Sequence, residues 1–181
     1  PRRPSPSSDR RRERRMLLPD EYPWLANATR NGPNRHGITG SERELLYRTA
    51  IQTGLRSSEL RSLERGSVFL ATDRPYVLCK AGSTKNRRDA RQYLEPELAA
   101  DLERHVQSKK PQAEVFAMPH EADVAAMLRA DMAAARHEWL EAAADNPAER
   151  LRREQSDFLA DVSHEGQRLD FHSLRHTCGA W

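Results

Sequence analysis

Cysteine is nearly absent from this chain. Its 181 residues hold two, Cys79 and Cys178, far apart and without a C-x-x-C spacing. That excludes a disulfide framework and the usual zinc-finger patterns. No apolar run approaches the ~20 residues of a membrane span, and no signal-peptide core appears. A reducing, cytoplasmic setting is therefore the default expectation. There is no internal repeat, and no acidic cluster offers a magnesium site. An initiating Met is missing too, and the chain stops soon after a helix-opening pattern, at Trp181. The expectation is a fragment of a longer polypeptide, long enough for one domain with a sizeable core plus a tail.

Charge is present but unevenly placed. The net value is only +3, yet residues 1–15 carry seven arginines against Asp9 and Glu13, a surplus of five that leaves −2 for the remainder. This Pro/Ser/Arg stretch has no apolar periodicity and reads as a flexible basic arm. It is either a solvated tail or a strand of cations laid along phosphates, and the two are compatible. Order is expected from Met16, with Leu18, Trp24 and Leu25 as anchors around a short helix after Pro19, and a loop across residues 29–37.

A helix then begins at a capping-box spacing, Thr39 with Glu42 or Ser41 with Glu44. Its apolar stripe is Leu45, Leu46, Thr49 and Ala50, with Ile51 at the margin, and Gly54 ends it. A second helix restarts over residues 57–64, with Leu60 and Leu63 inward. Around residues 67–70 and 75–80 the period changes to that of strands joined by a turn at Thr72–Pro75. Residues 85–94 read as a third strand. Pro96 opens a helix whose Leu98, Leu102 and Val106 recur every four residues. After a brief extended piece at residues 114–117, a long helix spans His120 to about Ala143, with Val124, Met127, Leu128, Ala135 and Trp139 toward one face. Residues 140–168 hold a highly charged insertion, either loose or an exposed helix. Asp170 is a good N-cap for a last helix. The fold class is thus mainly α with one small antiparallel β-sheet (α+β). The division is a basic arm at 1–15 and a domain from 16 to 181.

Three places carry candidate chemistry. Arg56 follows a helix terminator and precedes a helix, so its guanidinium is held between two backbone elements; Glu59 lies three residues on. The plainer alternative is an Arg56–Glu59 surface pair worth a fraction of a kcal/mol, roughly 0.2–1. Next, Lys85, Arg87 and Arg91 share one side of the third strand and Arg88 takes the other. Such a face suits a phosphate backbone, or it is a solvated edge guarded by charge. Last, His172 and Arg175 lie one turn apart on a helix face. A neutral imidazole donor beside an Arg fork suits two oxygens of one phosphate; the alternative is a core His satisfied by a carbonyl. A metal set of His164, His172, His176 and Cys178 fits no usual zinc spacing.

Taken in order, Gly54-Leu55-Arg56-x-x-Glu59, a hairpin Lys, and His172-x-x-Arg175-His176-Thr177 resemble the catalytic domain of the tyrosine recombinases, the phage-integrase family. The resemblance runs from Ile38 to Trp181. It implies DNA cutting and rejoining through a 3′-phosphotyrosyl intermediate that releases a 5′-hydroxyl, with no metal and no other cofactor. It implies that Arg56 and Arg175 bind the non-bridging oxygens, while His172 helps hold the phosphate and manages protons. Lys85 would protonate the leaving 5′-oxygen, Lys80 being its neighbouring alternative, and Glu59 would orient the first Arg or support the His. Each preorganised cation would contribute ~10²–10³ in rate. Arg87, Arg88, Arg91 and Lys80 would contact DNA. The partner implied is double-stranded DNA, with a homo-tetramer of the complete protein on it, no membrane, and a nucleoid-associated location.

The family also needs a further His or Trp and then a nucleophilic Tyr after the His-x-x-Arg. Tyr22, Tyr47, Tyr76 and Tyr93 all precede it and none stands in a matching context, so this chain is expected to bind DNA without cutting it. Two other classes compete: a naturally truncated, non-catalytic DNA-binding protein or regulator, and a helical protein-interaction module. Missing carboxyl-terminal helices would leave exposed apolar surface near the end of the chain.

Overall fold

A computed structural model of the chain describes residues 13–79 and 89–178. Lys80, Lys85, Arg87, Arg88 and Trp181 lie outside the described residues. Among the described residues the fold is mixed α+β, with seven α-helices and a three-stranded antiparallel sheet. No described helix is long and apolar enough to cross a membrane.

The chain enters through a short 3-10 turn, Pro19–Glu21, into α1 (Tyr22–Asn31). Leu25 is an anchor as expected and Trp24 packs at the core margin, but Leu18 is exposed and Leu17 is buried in its place. Leu18, ahead of Pro19, is extended (φ −78°, ψ 150°), a conformation in which neighbouring side chains take opposite sides, so with Leu17 inward Leu18 faces out. The residues expected as a loop from Thr29 complete α1 as far as Asn31.

Helix α2 (Gly40–Thr53) begins at Thr39, whose hydroxyl accepts the Glu42 amide at 3.2 Å. That settles the choice of N-cap. The Glu42 carboxylate does not return to the cap; it accepts the Ala117 amide. Leu45, Leu46, Thr49, Ala50 and Ile51 are all buried. Gly54 closes α2 at φ +63°, the left-handed region that costs glycine nothing. Helix α3 (Ser57–Arg61) follows at once.

The sheet comprises β1 (Val68–Phe69), β2 (Tyr76–Cys79) and β3 (Ala90–Tyr93) in spatial order β1-β2-β3. Val77 pairs with Val68 and Gln92, and Cys79 with Ala90. Val68, Val77 and Cys79 face the core. The other face carries Phe69, Tyr76 and Tyr93 side by side, with Phe69 stacked on Tyr76 at 4.8 Å. Only Ala90–Tyr93 of the expected third strand belongs to β3, and the rest falls mainly outside the described residues.

Helix α4 (Pro96–Val106) buries Leu98, Leu102 and Val106. The extended piece that follows is tied back by the Val115 amide, which donates to Leu63 O at 2.8 Å. Helix α5 (Glu121–Glu141) buries Val124, Met127, Leu128, Ala135 and Trp139, packs on α1, and is tied to α2 through Asp131. The charged stretch is no loose insertion. It forms α6 (Pro147–Glu154), capped by Asn146 and burying nothing, then a loop that sends Leu159 into the core. Arg136 of α5 holds that loop by donating to the carbonyls of Glu154, Ser156 and Phe158. Helix α7 (Phe171–Thr177) packs on α2, with Asp170 accepting the Ser173 amide as its cap.

Candidate anion site

Two segments far apart in sequence meet at the end of α2. Gly54 turns the chain, and Arg56 becomes the residue that caps α3. Its backbone amide and its guanidinium each donate to one oxygen of Glu59, both at 2.8 Å. From the other side α7 brings Arg175, whose Nη1 stands 3.8 Å from the same carboxylate. Glu59 is buried, and its charge is met by two cations that stay about a third exposed, 36% for Arg56 and 32% for Arg175.

The close approach depends on Gly54. A Cβ there would stand 3.2 Å from Cys178 Sγ and 3.3 Å from Cys178 Cβ, at the end of α7. The Cys178 thiol also donates to Gln52 O at 3.4 Å. Glycine is therefore needed twice, for its backbone angle and for its lack of a side chain. Only the first reason was legible beforehand, as a helix terminator.

His172 lies one turn from Arg175 on α7 and beside His176, their rings 4.8 Å apart. Partial burial, then His176, Arg14 and Arg175, lowers the His172 pKa from its ordinary value; Asp170 opposes them. The imidazole is thus biased toward its neutral form, with one ring N–H to donate. Cys79, the last residue of β2, is close enough to feel the charge of Glu59. Burial first, and Glu59 second, pushes the Cys79 thiol up to about 11.

Arg56, Glu59, His172 and Arg175 are thus brought into one neighbourhood. Arg91 is not. It pairs opposite Leu78, on the sheet face away from Cys79, and lies 4.9 Å over the Tyr76 ring. Its cation covers an aromatic ladder rather than facing the cluster. His164 is elsewhere, 2.7 Å from Asp157, and among the described residues no three metal-ligating side chains are grouped.

None of the four tyrosines is free to attack at this cluster. The Tyr22 and Tyr47 hydroxyls donate to Glu44 and Asp131, each at 2.8 Å, and burial raises both pKa values. Tyr76 and Tyr93 belong to the outer sheet face.

Chemically the arrangement can receive an anion. Two guanidiniums share one carboxylate, which leaves a surplus positive charge. Among the described residues the Arg175 guanidinium makes no hydrogen bond, and Arg56 spends only one guanidinium nitrogen. The remaining N–H donors form planar forks of the kind that match phosphate or carboxylate oxygens. Comparison with family models, with curated proteins and with solved structures finds no match.

Proposed function

We propose that this chain is the phosphate-binding part of a tyrosine-recombinase catalytic domain, and that it binds double-stranded DNA through Arg56, Arg175 and His172. One observation carries the reading: two arginines distant in sequence converge on a single buried carboxylate while keeping most of their donors unspent among the described residues. A purely structural Arg would spend those donors on carbonyls, as Arg136 does here. In the complete protein, a Tyr outside this set would attack the phosphate these residues hold. Lys85 would protonate the leaving oxygen. This chain's share is to bind, orient and stabilise charge.

Fluorescence anisotropy with a duplex of arbitrary sequence, across a range of salt, tests the binding. Arg56→Gln and Arg175→Gln should each weaken binding and lower the slope of log K against log salt by about 0.9, one phosphate contact apiece. Unchanged slopes in both variants, in chains that remain folded, would remove the reading and leave the cluster a structural clasp.

A further inference from the structure

The residues just ahead of the first turn are a strap, not the end of a tail. Arg168 N donates to Glu13 O at 2.9 Å, and Arg15 N donates to Arg168 O at 3.0 Å. Further on, the Leu17 amide donates to the Thr177 hydroxyl on α7 at 3.2 Å. The Arg15 guanidinium grips both oxygens of the fully buried Glu21, at 2.8 and 2.9 Å, and donates to Ala160 O. Glu21 also accepts the amides of Leu18 and Leu159. With backbone fixed on both sides, Arg14 has little freedom of direction. Its Nε donates to both oxygens of Asp170, at 3.1 and 2.9 Å, at the start of α7.

That contact leaves the business end of Arg14 unused. Among the described residues its two terminal amino groups make no hydrogen bond, and 33% of the side chain is exposed. An ion pair this exposed contributes little to stability, but it aims the fork. Arg14 therefore sits at Asp170 and near His172, while Arg175 lies five residues along the same helix. The rise over five helical residues is about 7.5 Å, comparable with the step between neighbouring phosphates of one strand.

We propose that Arg14 is a further phosphate-binding residue, which holds, through its two free amino groups, the phosphodiester adjacent to the one assigned to Arg56 and Arg175. The proposal rests on the DNA-binding reading above and extends it to a second phosphate. Asp170 keeps the Nε end and the phosphate takes the Nη end, so neither contact has to break for the other.

The test uses the full chain, a duplex of arbitrary sequence, and the salt dependence of binding for Arg14→Gln, Arg14→Lys and, as the control on the underlying reading, Arg56→Gln. Arg14→Gln should bind several-fold more weakly at a given salt, with the slope lower by about 0.9; Arg14→Lys should keep the slope, because the charge is kept. If Arg14→Gln binds like the parent while Arg56→Gln is weakened, the second phosphate is wrong and the first stands. If both bind like the parent, or the parent itself does not bind, both readings go. Should Arg14→Gln fail to fold, the arginine side-chain N–H resonances of the parent decide. Duplex should shift the Arg14 signals along with those of Arg56 and Arg175, and shifts confined to the latter two overturn the proposal.

Discussion

Helix α2 leads into two arginine–carboxylate clusters that use the same groups to opposite ends. In the first, Arg43 is wholly buried (0% exposed) against Asp131 (1%). Its Nε and Nη2 donate to the two Asp131 oxygens and its Nη1 to Ile38 O. Asp131 accepts from Arg35 and from the Tyr47 hydroxyl as well. Every nitrogen and both oxygens are spent. In the second, Glu59 holds Arg56 with one guanidinium bond and Arg175 at 3.8 Å, and both guanidiniums are half-open to solvent. The difference teaches how to read an ion pair. A saturated, dry cluster fixes helices, because any missing partner leaves a charge uncompensated. An unsaturated, half-wet one is poised for a ligand, since its donors can be desolvated profitably only by an incoming anion.

The sharpest way to break that contrast is Asp131→Ala. It strands Arg43 in the interior and releases Arg35 and Tyr47, so unfolding free energy should fall by about 3–5 kcal/mol. A shift of the urea midpoint at unchanged slope checks it. The proposed DNA affinity of the folded fraction should hold, because the cluster around Asp131 shares no residue with the one around Glu59. A loss below about 1 kcal/mol would mean the dry cluster carries no more than a surface pair.

Legibility in sequence divides along the same line. Helices α4 and α5 were readable because burial repeats with the helical turn, and α2, buried on most sides, because a capping Thr39 and a closing Gly54 bracket it. Arg56, Glu59, His172 and Arg175 were legible as motifs, since each sits at an element junction where local spacing is meaningful. Asp131 was not: it stands mid-helix among alanines and methionines, and its partners lie in α2 and in the loop before it. Arg14 and Arg15 read as more of the arm, because composition cannot distinguish an arginine gripping a buried glutamate from one in water. Leu17 and Leu18 were exchanged for a similar reason, their facing being set by extended backbone ahead of Pro19 that helical periodicity does not see.

Gly54→Ala tests whether the open cluster depends on close packing beneath it. The left-handed backbone and the contacts to Cys178 together should cost about 2 kcal/mol, read as a lowered Tm. Because the clash pushes α7 away from α3, DNA binding should weaken in parallel. Adding Cys178→Ala removes the sulfur and should restore part of both losses; no restoration would place the strain in the backbone angle alone.

A pH titration separates the buried neighbour of the cluster from the cluster itself. The folded state holds the Cys79 thiol up at about 11 against an ordinary value near 9. A raised folded pKa gives stability that is complete below the unfolded value and lost as pH rises through the folded one. Stability should therefore decline from pH ~9 toward ~11, by on the order of 2 kcal/mol. Cys79→Val should remove the onset of that decline, leaving the later contribution of Tyr22 and Tyr47, whose pKa values are raised as well. Exposed Cys178 should react readily with a thiol reagent at neutral pH while Cys79 does not. Equal reactivity would mean that the hairpin opens.

The smallest stability effect should come from Arg175, one of the residues proposed to bind phosphate. Arg175→Gln removes a contact of 3.8 Å between a guanidinium one-third exposed and a carboxylate that keeps its two bonds from Arg56. Exposed pairs of this kind are worth about 0–1 kcal/mol, and Gln can still pack its stem on α2. The melting temperature should move by no more than a few degrees, in contrast to Asp131→Ala. A loss approaching that of Asp131→Ala would make Arg175 a second buried lock, and Glu59 would then need it for charge compensation. A near-silent substitution in stability, coupled to a lower salt slope in binding, is the signature of an arginine placed for a ligand.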